Sequence, residues 1–84
     1  MSSTSTEEGL KGIVTRYVGA EIPDWRRESQ IRDDLGLDSL ERVEVLMAAE
    51  DLWGIDIPDE AAARINTVGD ACDLIDGLRR ARMP

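Results

Sequence analysis

The stretch Asp33-Asp34-Leu35-Gly36-Leu37-Asp38-Ser39-Leu40-Glu41-Arg42-Val43-Glu44-Val45-Leu46-Met47-Ala48-Ala49-Glu50-Asp51-Leu52-Trp53-Gly54 decides how this chain is read. Asp38, with Glu41 three residues later, is an N-cap pair of the capping-box kind. Gly54 is a C-terminal stop, and Pro58 follows shortly after. The spacing predicts a helix over about Ser39–Trp53. At about 100° per residue that helix carries two apolar arcs rather than one. Val45, Leu46, Ala49, Leu52 and Trp53 form a broad arc, interrupted by Arg42. Leu40, Val43 and Met47 form a narrower one, flanked by Glu44 and Asp51 on one side and Glu50 on the other. One arc must face a core. The other is either a partner surface, where a small apolar patch is rimmed by charge, or a second face buried between several helices.

Toward the N-terminus, Leu10, Ile13, Val14, Tyr17 and Val18 repeat at the i, i+3, i+4, i+7 spacing of one helix face. Ser5 followed by Glu8 resembles a capping box and Gly19 a stop, which predicts a helix over about Thr6–Val18. Residues Gly19 to Leu37 then form a connection that is long for so small a domain. Its apolar points, Ile22, Trp25, Ile31, Leu35 and Leu37, are expected to pin it across the helices, Trp25 above all because of its large area.

Toward the C-terminus, Ile55 to Pro58 reads as a short extended link. Asp59 to Arg64 has room for one or two helical turns, with Ile65 as an anchor. Thr67 with Asp70 is another N-cap pair. Val68, Ala71, Cys72, Ile75 and Leu78 continue at helical spacing, predicting a last helix over about Val68–Arg80. Its basic end (Arg79, Arg80, then Arg82) suits the negative pole of a helix. The expected fold is all-α: a small four-helix bundle of three longer helices and one short one, with a long first loop. The expected domain covers residues 6–80, with flexible ends at 1–5 and 81–84.

Composition narrows the function. The chain has 84 residues, so one domain is expected. It has no His and one Cys, which excludes His-based catalysis, a CxxC redox pair, an internal disulfide and His or Cys₂ metal sites. The net charge of −8 argues against nucleic acid and for partners with basic surfaces. From Asp33 to Glu60 there are ten acidic residues and one basic, Arg42, so the charge is concentrated around the second helix. No apolar run approaches a membrane span or a signal peptide. The cytoplasm and a free-standing monomer beginning at Met1 are expected. Nine of the ten basic residues are Arg, a bias that fits a GC-rich bacterial genome. Cys72 sits on an apolar face and reads as a packed, inert thiol. The sequence does not fit an EF-hand: placing Gly36 at the sixth position puts Ile31 first, where an Asp is needed.

Ser39 is the residue with chemical interest. It opens the second helix directly after its N-cap, where the chain turns and the side chain is exposed. A phosphate on it would sit beside unpaired N–H groups and the positive end of the helix dipole. A nucleophilic serine would need a base, and no His is available. Ser39 therefore reads either as an attachment point or as an ordinary helix-starting residue.

The sequence resembles the acyl carrier protein family. The resemblance rests on Asp33-Asp34-Leu35-Gly36-Leu37-Asp38-Ser39-Leu40, on Val43-Glu44 and Met47, on Ile55-Asp56-Ile57-Pro58-Asp59-Glu60, and on Thr67-Val68. It covers about Ile31 to Ile75 without gaps. It implies that Ser39, between Asp38 and Leu40, receives 4′-phosphopantetheine from coenzyme A through a phosphodiester. The arm's thiol would then hold acyl groups as thioesters. It implies a carrier and not an enzyme. The partners implied are a phosphopantetheinyl transferase, then an acyltransferase, a ketosynthase and other enzymes with basic docking surfaces. It maps recognition onto Glu41, Val43, Glu44, Met47 and Glu50, largely the narrow arc and its rim.

Two rivals remain at this level. A peptidyl or aminoacyl carrier shares the serine, but commonly has a second Gly or a His before it, where this chain has Leu37 and Asp38. An acidic adaptor that binds a partner helix would never be modified. Among acyl carriers, the acidic second helix resembles fatty-acid versions. Trp53, where Phe is common, together with Arg42 and the Arg-rich composition, points to a specialised polyketide-type carrier ahead of a housekeeping one.

Overall fold

The computed structural model describes residues 2–19 and 25–82. Among these, the chain forms four helices: α1 (Ser2–Val18), α2 (Ser39–Trp53), α3 (Asp59–Ala62) and α4 (Val68–Arg82). The all-α bundle with one short helix is as expected. Ile22 and Pro23 of the long connection lie outside the described residues.

Both ends of α2 fall where the sequence places them, because both carry their own signals. The Asp38 carboxylate accepts from the Glu41 N–H at 2.8 Å, and Glu41 returns the bond to the Asp38 N–H at 3.1 Å. Gly54 takes the left-handed conformation (φ 63°) and donates to the Glu50 carbonyl, closing the helix.

Three helix boundaries differ from expectation. α1 begins at Ser2, not near Thr6, so Ser5 and Glu8 lie inside the helix and do not cap it. α4 continues to Arg82, beyond Arg80. α3 is limited to Asp59–Ala62, and none of its residues is buried.

The core takes residues from every long element. Leu10 and Val14 come from α1; Val45, Leu46 and Ala49 from α2; Val68, Ala71, Cys72 and Ile75 from α4. The first loop adds Ile31, Leu35 and Leu37, and the later links add Ile55, Ile57 and Ile65. Trp25 packs against this core half-buried, and its indole N–H donates to Glu7 at 3.0 Å, which ties the loop to α1. The expected apolar face of α1 is shorter in space than in sequence. Tyr17 and Val18, 44% and 45% exposed, overhang the end of the bundle. Leu52, assigned to the broad arc of α2, is also exposed, because it sits at that arc's outer margin.

Two long-range devices fix the packing. The buried Thr6 hydroxyl donates to Asp76 and accepts from Arg79 Nη1 at 2.7 Å, joining α1 to α4. The Arg79 guanidinium then lies 5.2 Å from the centre of the Trp53 ring, which brings in α2. At the other device, loop backbone caps α4. The Val68 N–H donates to the Ser29 carbonyl at 2.9 Å and the Gly69 N–H to the Arg27 carbonyl at 2.8 Å. The Asp70 N–H goes to the Thr67 hydroxyl and the Thr67 N–H to the Asp70 carboxylate, both at 3.1 Å. All four N–H groups that a helix start leaves open are thus satisfied. The interior is nearly filled: the apolar void enclosed by α1, the loop, α2 and α4 is about 10 Å³.

Candidate functional site

The loop before α2 is built to present Ser39. Leu35 and Leu37 both turn inward, and Gly36 between them adopts φ 74°, a value that a side chain would strain. The Leu37 N–H donates to the Ile31 carbonyl at 3.1 Å, and the Gln30 N–H donates to the Asp34 carboxylate at 2.7 Å. These bonds fold the loop onto itself just ahead of the helix. Ser39 is then the first residue of α2, and Asp38, Ser39 and Leu40 are all exposed.

The helix start leaves a defined opening for negative charge. Asp38 takes the N–H of Glu41 with its side chain and that of Arg42 with its carbonyl, at 2.8 and 2.9 Å. The N–H groups of Ser39 and Leu40 bond no described residue. A phosphodiester on the Ser39 hydroxyl would lie next to those donors and to the positive helix pole.

The narrow arc of α2 is open to solvent. Leu40 is 67% exposed, Val43 50% and Met47 57%. This selects the exposed-surface alternative for that arc over burial between helices. Three glutamates rim it, and they are not equivalent. Glu41 belongs to the capping box, and Glu50 accepts from the Ile57 N–H at 2.7 Å. Glu44 has no bonding partner among the described residues. The structure also adds a wall that the sequence reading did not assign to the surface. Val43, Leu46, Met47 and Glu50 face Ile57, Asp59 and Ala62 across a shallow groove of about 110 Å³ between α2 and α3. The Ile57-Pro58-Asp59 block was visible in the sequence, but its place opposite Met47 was not.

Arg42, which interrupts the broad arc, reaches across the bundle. Its Nη1 donates to the Ile65 carbonyl at 2.9 Å, so its charged head serves the link before α4. Cys72 is fully buried, and burial pushes its thiol up to about 11. It is inert at neutral pH and far from being a nucleophile. Among the described residues no group of acidic or Cys side chains is arranged to hold a metal ion, and no helix is long and apolar enough to cross a membrane.

Comparison with known proteins agrees with this geometry. The family described as "Phosphopantetheine attachment site" matches residues 8–75. The crystal structure of an acyl carrier protein from Thermotoga maritima is similar in fold, with a TM-score of 0.86 at 22% identity, covering 96% of this chain and 94% of that one. A proposed acyl carrier protein from Mycobacterium tuberculosis is similar with a TM-score of 0.78 at 28% identity, covering 83% of this chain and 93% of that one. Proteins of this family are carriers and not enzymes, and their covalent cofactor is 4′-phosphopantetheine. They work with a phosphopantetheinyl transferase and with acyl-processing enzymes. The match over residues 8–75, on a four-helix fold that presents an exposed serine at the start of its second helix, shows that this chain belongs to the phosphopantetheine attachment-site family, as an acyl carrier protein.

Proposed function

We propose that Ser39 is the attachment residue and that the chain carries acyl intermediates of polyketide or fatty acid synthesis in the cytoplasm. The observation that supports this most is the exposed Ser39 hydroxyl beside two open backbone N–H groups. In the loading step the Ser39 oxygen attacks the pantetheine-side phosphorus of coenzyme A. An O–P bond forms, the pyrophosphate P–O bond breaks, 3′,5′-ADP leaves, and the serine proton passes to a base of the transferase. The chain has no His to serve as that base. Asp38 and Leu40 present the serine on either side. Once attached at Ser39, the arm would supply a terminal thiol able to hold acyl groups as thioesters.

Docking is assigned to Val43 and Met47, with Leu40 beside them and Glu41, Glu44 and Glu50 as the charged rim. Apolar contact at the centre and charge at the edge suit fast, weak and salt-sensitive association, as a shuttle requires. The acyl reading is favoured over the peptidyl one by Leu37 and Asp38 before the serine. The polyketide-type reading is favoured by Arg42, Trp53 and the Arg-rich composition. The test is intact mass after incubation with coenzyme A and a broad-specificity phosphopantetheinyl transferase. Gain of one phosphopantetheinyl group, absent in Ser39→Ala, is the expected result. A folded protein that stays unmodified with two different transferases would leave the helix-binding adaptor as the better account.

A further inference from the structure

Two arginines that the acidic surface leaves unneutralised meet in one pocket beside the carrier helix. The pocket, about 360 Å³ in volume, is lined by Gln30, Arg32, Asp33, Arg42, Asn66 and Thr67. In a chain of net charge −8, no carboxylate among the described residues lies within ion-pair distance of Arg32 or Arg42. Asp33 shares the lining but pairs with neither, and nearby Asp34 is engaged by the Gln30 N–H. Arg42 uses Nη1 on the neutral Ile65 carbonyl, which fixes the guanidinium while its other donors meet no acceptor among the described residues. The side-chain amides of Gln30 and Asn66 likewise bond no described residue. The wall is therefore rich in unused donors, most of them on two planar cationic forks of the kind that grip carboxylates in pairs.

Its position gives the pocket an occupant. Arg42 is three residues after Ser39, so the two lie one turn apart on neighbouring faces of α2. Ser39 itself does not line the pocket. A pantetheine arm is many bonds longer than the roughly 5.4 Å of one helical turn, so its end can fold back to that depth.

We propose that this pocket is a subsite for the free carboxylate of a short dicarboxylic acyl group, such as malonyl, carried on the arm. The reading rests on attachment at Ser39. The carboxylate of the cargo pairs with Arg32 and Arg42, and the Gln30 and Asn66 amides donate to the lone pairs that its two oxygens keep. An acyl group without the carboxylate brings no negative charge to pair with the two guanidinium groups and stays outside.

The test compares four forms of the whole chain by NMR: unmodified, arm with free thiol, acetyl-loaded and malonyl-loaded. The malonyl form is expected to shift the Arg42 Nε–H and the Gln30 and Asn66 side-chain amide signals, whereas the acetyl and thiol forms leave them in place. With ¹³C-malonyl, the carboxylate should titrate lower on the protein than on coenzyme A, and the difference should disappear in Arg32→Gln. Arg42→Lys, which keeps the charge but loses the fork, should weaken the shifts, and Arg42→Gln should abolish them. The Arg32 side chain is exposed and bonds no described residue, so its variant separates loss of the subsite from loss of folding. Equal shifts in the thiol form would assign the pocket to the arm's own phosphodiester and overturn the proposal. Identical malonyl and acetyl spectra would also overturn it. Failure of every form to load would instead refute attachment at Ser39.

Discussion

Gly9 of α1 lies directly against the Trp53 ring of α2, and a single methyl there probes the packing between the two helices. A Cβ on Gly9 would stand 2.5 Å from Trp53 Cζ2 and 3.0 Å from Cη2. The ring cannot swing aside freely, because it packs against the core and carries Arg79 on its face. Overpacking of this kind costs about 1–3 kcal/mol. Replacing a mid-helix Gly by Ala returns about 1 kcal/mol of propensity. Gly9→Ala should therefore be neutral to about 2 kcal/mol destabilising. At Gly12, also in α1, a methyl would meet nothing within 4 Å, so Gly12→Ala should gain the propensity alone. The gap between the two variants isolates the clash at about 1–3 kcal/mol, or roughly 5–20 °C in Tm for a domain of this size. Urea unfolding followed by circular dichroism measures it. In a Trp53→Leu background the gap should close, as a double-mutant cycle requires. Equal stabilisation by both substitutions in the native background would refute the close approach of α1 to the Trp53 ring.

Glu44→Lys should weaken binding to an acyl-processing enzyme by about tenfold at low salt, mostly through the association rate, and added salt should shrink that gap; surface plasmon resonance at two ionic strengths would show it, and unchanged binding in both would remove steering from the account. Added salt or divalent cations should raise the Tm of the free chain by screening the carboxylates between Asp33 and Glu60; a rise that saturates with one particular cation would contradict screening. The Asp70 carboxyl is held below its ordinary range, first by the backbone N–H groups of Asn66 and Thr67. Its folded value lies below its unfolded one, so its contribution to stability is present at neutral pH and is lost as pH falls through the folded value. Asp70→Asn should accordingly differ from the parent in urea midpoint at neutral pH and converge with it as the pH falls below the ordinary carboxylate range; a constant difference would refute the assignment. Cys72, buried and pushed up to about 11, should resist iodoacetamide at neutral pH until the chain unfolds globally, so rapid labelling of the native protein would contradict its placement.

The sequence carried α2 almost completely, since Asp38, Glu41 and Gly54 act within a few residues of the ends they define. The same local logic located the Thr67–Asp70 cap and the inward Leu35 and Leu37. It failed where the deciding partner is remote. Ser5 and Glu8 had the spacing of a cap, yet α1 is held by Thr6 meeting Asp76 and Arg79, some 70 residues away. Arg42 looked out of place on an apolar arc because the Ile65 carbonyl that receives it belongs to another segment. Periodicity placed Leu52, Tyr17 and Val18 on apolar faces but carries no information on where the opposing helix ends. Ser39 was legible as a helix start from its neighbours, and its proposed role as an attachment point rests on the wider resemblance alone. The pocket of Arg32 and Arg42 joins three separate segments and had no signature in any of them.

The shortness of α3 has a consequence for how the proposed docking surface would serve several enzymes. Its four residues are all at least partly exposed, and its N-cap, Pro58, makes no side-chain hydrogen bond. Segments with so little burial open locally at far lower cost than the whole molecule. Amide hydrogen exchange should therefore be quick in Asp59–Ala62 while residues 45–49 stay protected. Since α3 forms one bank of the groove beside Val43 and Met47, that groove has one stiff side and one compliant side. Each enzyme would meet the same fixed helix and reshape only the opposite bank, so successive partners of different contour need not compete for a single rigid mould.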